Sequence, residues 1–293
     1  MGVAEAAGRV ARVPTATNAD GFGVAYYDLG GDGPPLLFAH ATGFHAHVWQ
    51  PVAERLADAF HCWAFDARGH GDTPAPPDGE FHWIGFARDA MAVVEAEGLV
   101  RPFGVGHSGG GAALLLAEIT APGTFRALYT YEPIAMPAAA AAQSRAASSN
   151  PLAEGARRRR EVFASRQAAR DNYASKLPMS TWDPAALDAY VDWGFDDLDD
   201  GTVRLKCRGE SEARTYEMST RHGAFERLGE IGCPVAVAAG ETSTALMPGI
   251  TDLQAREIPN GHAEILPGLG HFGPMEDPAA VAASIRRAFT AAG

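Results

Sequence analysis

Short apolar runs at Pro35–Ala39, His61–Phe65, 103–105 and Ala127–Tyr131 recur through the first half of the chain, each ending in glycine or a polar turn. Helix-like segments lie between them at 49–57, 81–97 and 110–119. Apolar runs bounded by turns are the pattern of strands buried on both faces, and such strands alternating with helices build a parallel sheet covered on both sides. The expected fold class is α/β.

Beyond Pro137 the strand signal gives way to polar, amphipathic stretches at 151–174, 184–195 and 210–218, with an acidic run at 196–200 that ends in an Asp200-Gly201 turn. A strand-like run returns at 234–239, followed by 263–266, a loop, and a closing helix at 278–290. This order fits a core of residues 1–135 and 228–293 interrupted by a helical cap, 136–227, better than two consecutive domains.

Composition excludes several partners. A net charge of −12 opposes contact with a polyanion, so nucleic acid is not expected. Cys62, Cys207 and Cys233 are odd in number, widely spaced and form no C-x-x-C pair, which suggests neither a disulfide framework nor a metal site. No early apolar stretch resembles a secretion signal and no run is long enough to span a membrane, so the expected location is the cytoplasm, with a homo-oligomer left open. All basic residues but Lys176 and Lys206 are arginine, which matches GC-rich coding; the alanine tract 138–142 is read the same way.

Gly106-His107-Ser108-Gly109-Gly110 stands directly between the third of the apolar runs and a helix-forming run. A serine there, with small neighbours, can occupy a tight strained turn that pushes its hydroxyl into a cleft. Acyl transfer by such a serine needs a base, an acid that orients the base, and donors for the oxyanion. His271, in the loop after the last strand, returns over the carboxyl ends of the strands and is the expected base. Glu132 ends the strand that follows the elbow helix, so it should emerge beside Ser108; it is preferred over Glu241 as the acid. Gly109 supplies one oxyanion N–H and Thr42, in His40-Ala41-Thr42-Gly43-Phe44, the second. His40 is expected to position that loop.

These features resemble the α/β-hydrolase superfamily over nearly the whole chain. Residues 65–73 are similar to its D-x-R-G-x-G-x-S loop, and His271-Phe272 with Glu276 and Pro278 to its histidine loop. The resemblance implies a mostly parallel central sheet flanked by helices, with the cap inserted after the sixth strand. Two departures stand out. Ala41 replaces the usual glycine after His40, and Ser243 occupies the slot where many members carry an Asp acid, three residues beyond Gly240. The cap also resembles that of relatives described as acyl-CoA thioesterases, through 157–160, Phe163, Ser165-Arg166, Trp182-Asp183-Pro184, Tyr190-Val191 and Leu205-Lys206-Cys207.

Cap aromatics would shape the pocket, with Phe163, Tyr173, Trp182, Tyr190, Trp193 and Phe195 as candidates and a small cap core as the alternative; Phe44 and His107 join His40 on the core side. Four consecutive arginines, 157–160, point all round a helix, so at most two can face one ligand. Serine at 108 excludes the dehalogenase and epoxide hydrolase chemistries that use an Asp there. The reading is a serine hydrolase cleaving an ester, thioester or lactone without a cofactor or metal. A carbon-carbon bond hydrolase, a cofactor-free perhydrolase, a hydroxynitrile lyase and a non-catalytic small-molecule binding protein stand as alternatives.

Overall fold

A computed structural model describes residues 13–146, 149–247 and 249–291. Eight strands form the main sheet: β1 (Thr15–Thr17), β2 (Gly23–Gly30), β3 (Pro35–Ala39), β4 (His61–Phe65), β5 (Phe103–His107), β6 (Ala127–Tyr131), and, numbered after three short strands of a second sheet, β10 (Val235–Gly240) and β11 (Gly261–Leu266). Their order across the sheet is β1-β2-β4-β3-β5-β6-β10-β11. All pairs from β4 to β11 are parallel; only β1 with β2 and β2 with β4 run antiparallel.

Parallel strands need crossovers, and helices α1 (Gln50–Glu54), α2 (Trp83–Ala96) and α3 (Gly109–Thr120) supply them in the first half. Side chains alternate across the sheet, so β3 sends Leu36 and Phe38 into one core and Leu37 and Ala39 into the other. The first core also holds Trp49, Tyr129 and Phe289; the second holds Leu114, Phe125 and Val237. Two-sided burial explains why these strands read as continuous apolar runs.

Between β6 and β10 the chain forms α4 (Ala138–Ala146), α5 (Pro151–Arg157), α6 (Arg166–Ala174), α7 (Pro184–Trp193) and α8 (Gly209–Met218). It is not wholly helical: β7 (Val162–Phe163), β8 (Phe195–Asp197) and β9 (Val203–Leu205) make a small antiparallel sheet in the order β7-β9-β8. Strands this short carry too few residues to show a period-2 pattern. Phe163, Phe195, Val203 and Leu205 are buried, and Gly201, with φ of +82°, closes the β8–β9 hairpin. The 151–174 stretch is likewise split, because Asn150 and Ser165 each cap a new helix by accepting the N–H of Ala153 and Ala168. Helices α9 (Ile250–Glu257), α10 (Gly273–Glu276) and α11 (Pro278–Ala291) complete the core; α9 was not apparent in the pattern. Among the described residues no helix is long and apolar enough to cross a membrane.

The loop after β4 is fixed by a buried ion pair. Arg68 donates through Nε and Nη2 to the two oxygens of Asp89, at 2.8 and 2.7 Å, and Asn18 adds a third donor at 3.0 Å. Removing one member leaves the other charge buried and unpaired, whereas an exposed pair contributes little. Asp89→Ala should therefore lower stability by about 3–5 kcal/mol, and Arg88→Ala, which breaks the exposed pair with Asp20, by less than about 1 kcal/mol. Urea unfolding midpoints of the two variants against wild type check the contrast.

Candidate active site

Ser108 sits at the junction of β5 and α3 with φ 52° and ψ −112°, a backbone conformation that few non-glycine residues adopt. The residues two places to either side of it must be glycine for steric reasons. A Cβ on Gly106 would stand 2.6 Å from Gly111 Cα, and one on Gly110 would stand 2.2 Å from the Ala39 carbonyl oxygen. The Ser108 N–H donates to Tyr131 O at 2.8 Å, which ties the turn to the end of β6.

Glu132 follows Tyr131 and also has positive φ, 46°. Its carboxylate is buried and fully engaged: Oε1 accepts from Gly240 N–H at 3.1 Å, and Oε2 from Ser243 Oγ at 2.8 Å and His271 Nδ1 at 2.6 Å. Burial alone would raise the carboxyl's pKa. The hydrogen bond and charge of His271, then the donors from Ser243 and Gly240, outweigh it and hold Glu132 below the usual carboxylate range. Because the carboxylate accepts, His271 carries its proton on Nδ1 and presents Nε2 as the basic atom. Glu241, the other candidate acid, is exposed and accepts from Gly268 N–H at 2.9 Å, in the turn after β11.

Three contacts hold the histidine loop. His107 Nε2 donates to His271 O at 2.8 Å, Tyr131 OH donates to Gly270 O at 2.7 Å, and Gly270 N–H donates to Glu276 at 2.6 Å. Burial, reinforced by the neighbouring His271, pushes His107 well below the ordinary histidine range, so it is a neutral donor. The Ser108 hydroxyl makes no hydrogen bond among the described residues, and catalytic contacts of this kind commonly tighten only when substrate is bound.

Opposite the elbow, the turn 41–44 closes with Phe44 N–H donating to Ala41 O at 3.1 Å. Gly43 takes the left-handed step, with φ 86°, and Ala41 has no positive φ, which accounts for alanine at that position. A Cβ built on Gly109 would lie 3.5 Å from Thr42 N and 2.9 Å from Thr42 Oγ1, so the two residues expected to donate to an oxyanion border one small space. His40 clamps the turn from behind: Nδ1 donates to Ala41 O at 2.7 Å and Nε2 accepts from Ala67 N–H at 3.0 Å.

A cavity of about 320 Å3 lies between this turn and the cap. Of the pocket candidates, Phe44, Tyr173, Trp182 and Tyr190 line it, together with Phe272 beside His271. The others are placed elsewhere. His40 and His107 are buried hydrogen-bonding groups, Phe163 and Phe195 pack inside the cap, and Trp193 is half exposed, stacked 3.8 Å from His47. Of the arginine run, Arg157 and Arg158 pair with surface glutamates, Arg160 covers Phe163, and Arg159 alone turns into the cavity. Sequence reasoning placed Glu276 in the histidine loop but missed Tyr131, and Ser243 as a donor to Glu132, as parts of this arrangement. The signal for Ser243 was the unusual hydroxyl in the slot of a missing acid.

Residues 36–284 match the model of the alpha/beta hydrolase family. A 2-(acetamidomethylene)succinate hydrolase of Mesorhizobium japonicum is 24% identical over 245 residues, 83% of each chain. An N-formylmaleamate deformylase of Pseudomonas putida is 32% identical over 121 residues, 41% of this chain and 45% of its own. The solved structure of an E-2-(acetamidomethylene)succinate hydrolase superposes with a TM-score of 0.81 at 20% identity, covering 95% of this chain and all of that one. The relatives are hydrolases, the fold superposes on theirs, and the chain belongs to the alpha/beta hydrolase family.

Proposed function

We propose that the protein is a serine hydrolase that cleaves a carboxylic ester, thioester or lactone of a small molecule through an acyl-enzyme. The observation that carries this reading is the 2.6 Å contact between His271 Nδ1 and buried Glu132, at the mouth of the strained turn that presents Ser108. Ser108 attacks the carbonyl carbon while Nε2 of His271 takes its proton. Negative charge on the carbonyl oxygen is met by the N–H groups of Thr42 and Gly109. His271 then protonates the leaving group, and the same nitrogen activates water for deacylation. Glu132 fixes the tautomer and stabilises the imidazolium formed at each step.

A second reading concerns the leaving group. The similar proteins, a hydrolase of an acetamidomethylene compound and a deformylase of a maleamate, support an amide-type bond. The same residues serve, with a greater demand on His271 to protonate the departing nitrogen.

Initial rates on acyl-CoA thioesters, lactones, alkyl esters and N-acyl compounds separate these readings. Ser108→Ala should abolish turnover and labelling by a fluorophosphonate; unchanged turnover would dismiss the acyl-enzyme. Glu132→Gln should lower kcat by about 10⁴-fold and Glu241→Gln should change it little. The reverse pattern would move the acid to Glu241.

Glu132 also links stability to pH. Its folded pKa lies below the unfolded value, so its contribution is present above the unfolded value, about 4.3, and is lost as pH falls through the folded one. Thermal midpoints measured from pH 6 to pH 3 should fall less steeply in Glu132→Gln than in wild type.

A further inference from the structure

The cavity under the cap is apolar where it meets the histidine loop, at Phe44, Trp182 and Phe272, but its lining also carries the charged side chains of Arg159, Lys176 and Glu212. Arg159 donates through Nη1 to Glu212 at 2.5 Å and through Nη2 to Tyr190 OH at 2.7 Å, and its side chain is 22% exposed. A guanidinium carries five N–H donors, so these contacts leave others unused. Lys176, on the exposed rim, lines the same cavity and donates to Asn172 at 2.7 Å. Two cations against one carboxylate make this lining positive, in a chain whose net charge is −12.

Position adds to charge. A Cβ built on Gly43 would lie 2.6 Å from Glu212 Oε1 and 3.4 Å from Arg159 Nη1, so the ion pair rests on the residue directly after Thr42. With about 3.8 Å between successive Cα atoms, the guanidinium lies within roughly two such steps of the Thr42 N–H. An anion bound there would be only a few carbon atoms from the reacting carbonyl. The cavity volume suits a short acyl chain.

We infer that this cavity is an acyl subsite for a short chain ending in a carboxylate, held by Arg159 and Lys176, so that the substrate is a mono-acyl derivative of a short dicarboxylic acid. The inference rests on the acyl-transfer reading above and adds the substrate class. Glu212 orients the guanidinium, and the planar fork of Arg159 meets the carboxylate with its remaining donors. A neutral chain of equal length would leave those donors unpaired beneath the cap, which is the source of discrimination.

The test compares glutarate with pentanoate, matched in length, as protectants of Ser108 against fluorophosphonate labelling, and monomethyl glutarate with methyl pentanoate as substrates. Glutarate should protect at a concentration at least about tenfold lower than pentanoate, and any turnover should favour the monoester through KM. In Lys176→Gln, and in the double variant Arg159→Gln with Glu212→Gln, that ratio should fall toward one. The double change removes both charges together and leaves no lone carboxylate buried; Lys176, on the rim, keeps the test available if the double variant does not fold. Equal protection by the two acids in wild type, or a ratio unmoved by the variants, overturns the subsite and leaves acyl transfer standing. No labelling of Ser108 and no turnover of either ester overturns both.

Discussion

The parallel pairing of β5 with β6 sets the geometry on which the rest of the site depends. Gly106 lies opposite Thr130 and His107 opposite Tyr131, so Ser108 and Glu132 are the next residues off two adjacent strands, which run about 4.8 Å apart. Both leave their strands through positive φ, a strain of roughly 1–3 kcal/mol each. The surrounding hydrogen bonds over-determine that conformation: Ser108 N–H to Tyr131 O, Ile134 N–H to Ser108 O, and Glu132 N–H to Ala238 O. A slip of one residue in this register would separate the two side chains and exchange the faces that a strand presents to the two cores.

The base reaches this pair from a loop, and loops need fixing. Here the anchors nearest the imidazole are uncharged donors, His107 and Tyr131, each ending on a carbonyl of residues 270–271. A cationic anchor in the same place would disfavour the imidazolium that the proposed mechanism forms. His107, its ring 4.9 Å from His271, avoids that penalty because burial keeps it neutral. On the acid side, Glu132 faces the imidazole directly.

Much of this was legible in the sequence, for identifiable reasons. Strands buried on both faces announce themselves as apolar runs, and β3, β4 and β6 begin and end where the pattern places them. The elbow was legible because its glycines answer to close backbone contacts, and the proximity of Glu132 to Ser108 followed from one short crossover. The small sheet β7-β9-β8 was not, since two- and three-residue strands leave no periodic signal and depend on packing around Phe163 and Phe195. Nor could composition distinguish Trp193, stacked outside on His47, from Trp182, which lines the cavity. Both are cap aromatics, and they stand at opposite ends of α7, Trp182 just before it and Trp193 as its last residue.

The arginine run shows the same limit from another side. The run was expected to circle one helix, but α5 ends at Arg157: Arg158 caps it and Arg159 and Arg160 lie in the irregular segment before β7, so the end of the helix is what sends the four side chains different ways. Arg157 and Arg158 meet surface glutamates across water, where a pair contributes little, and Arg160 lies against Phe163. Arg159 meets Glu212 and Tyr190 where little solvent remains to screen it. Glu212 offsets part of its charge, but both groups border Gly43, so the proposed oxyanion turn and the proposed carboxylate subsite adjoin each other.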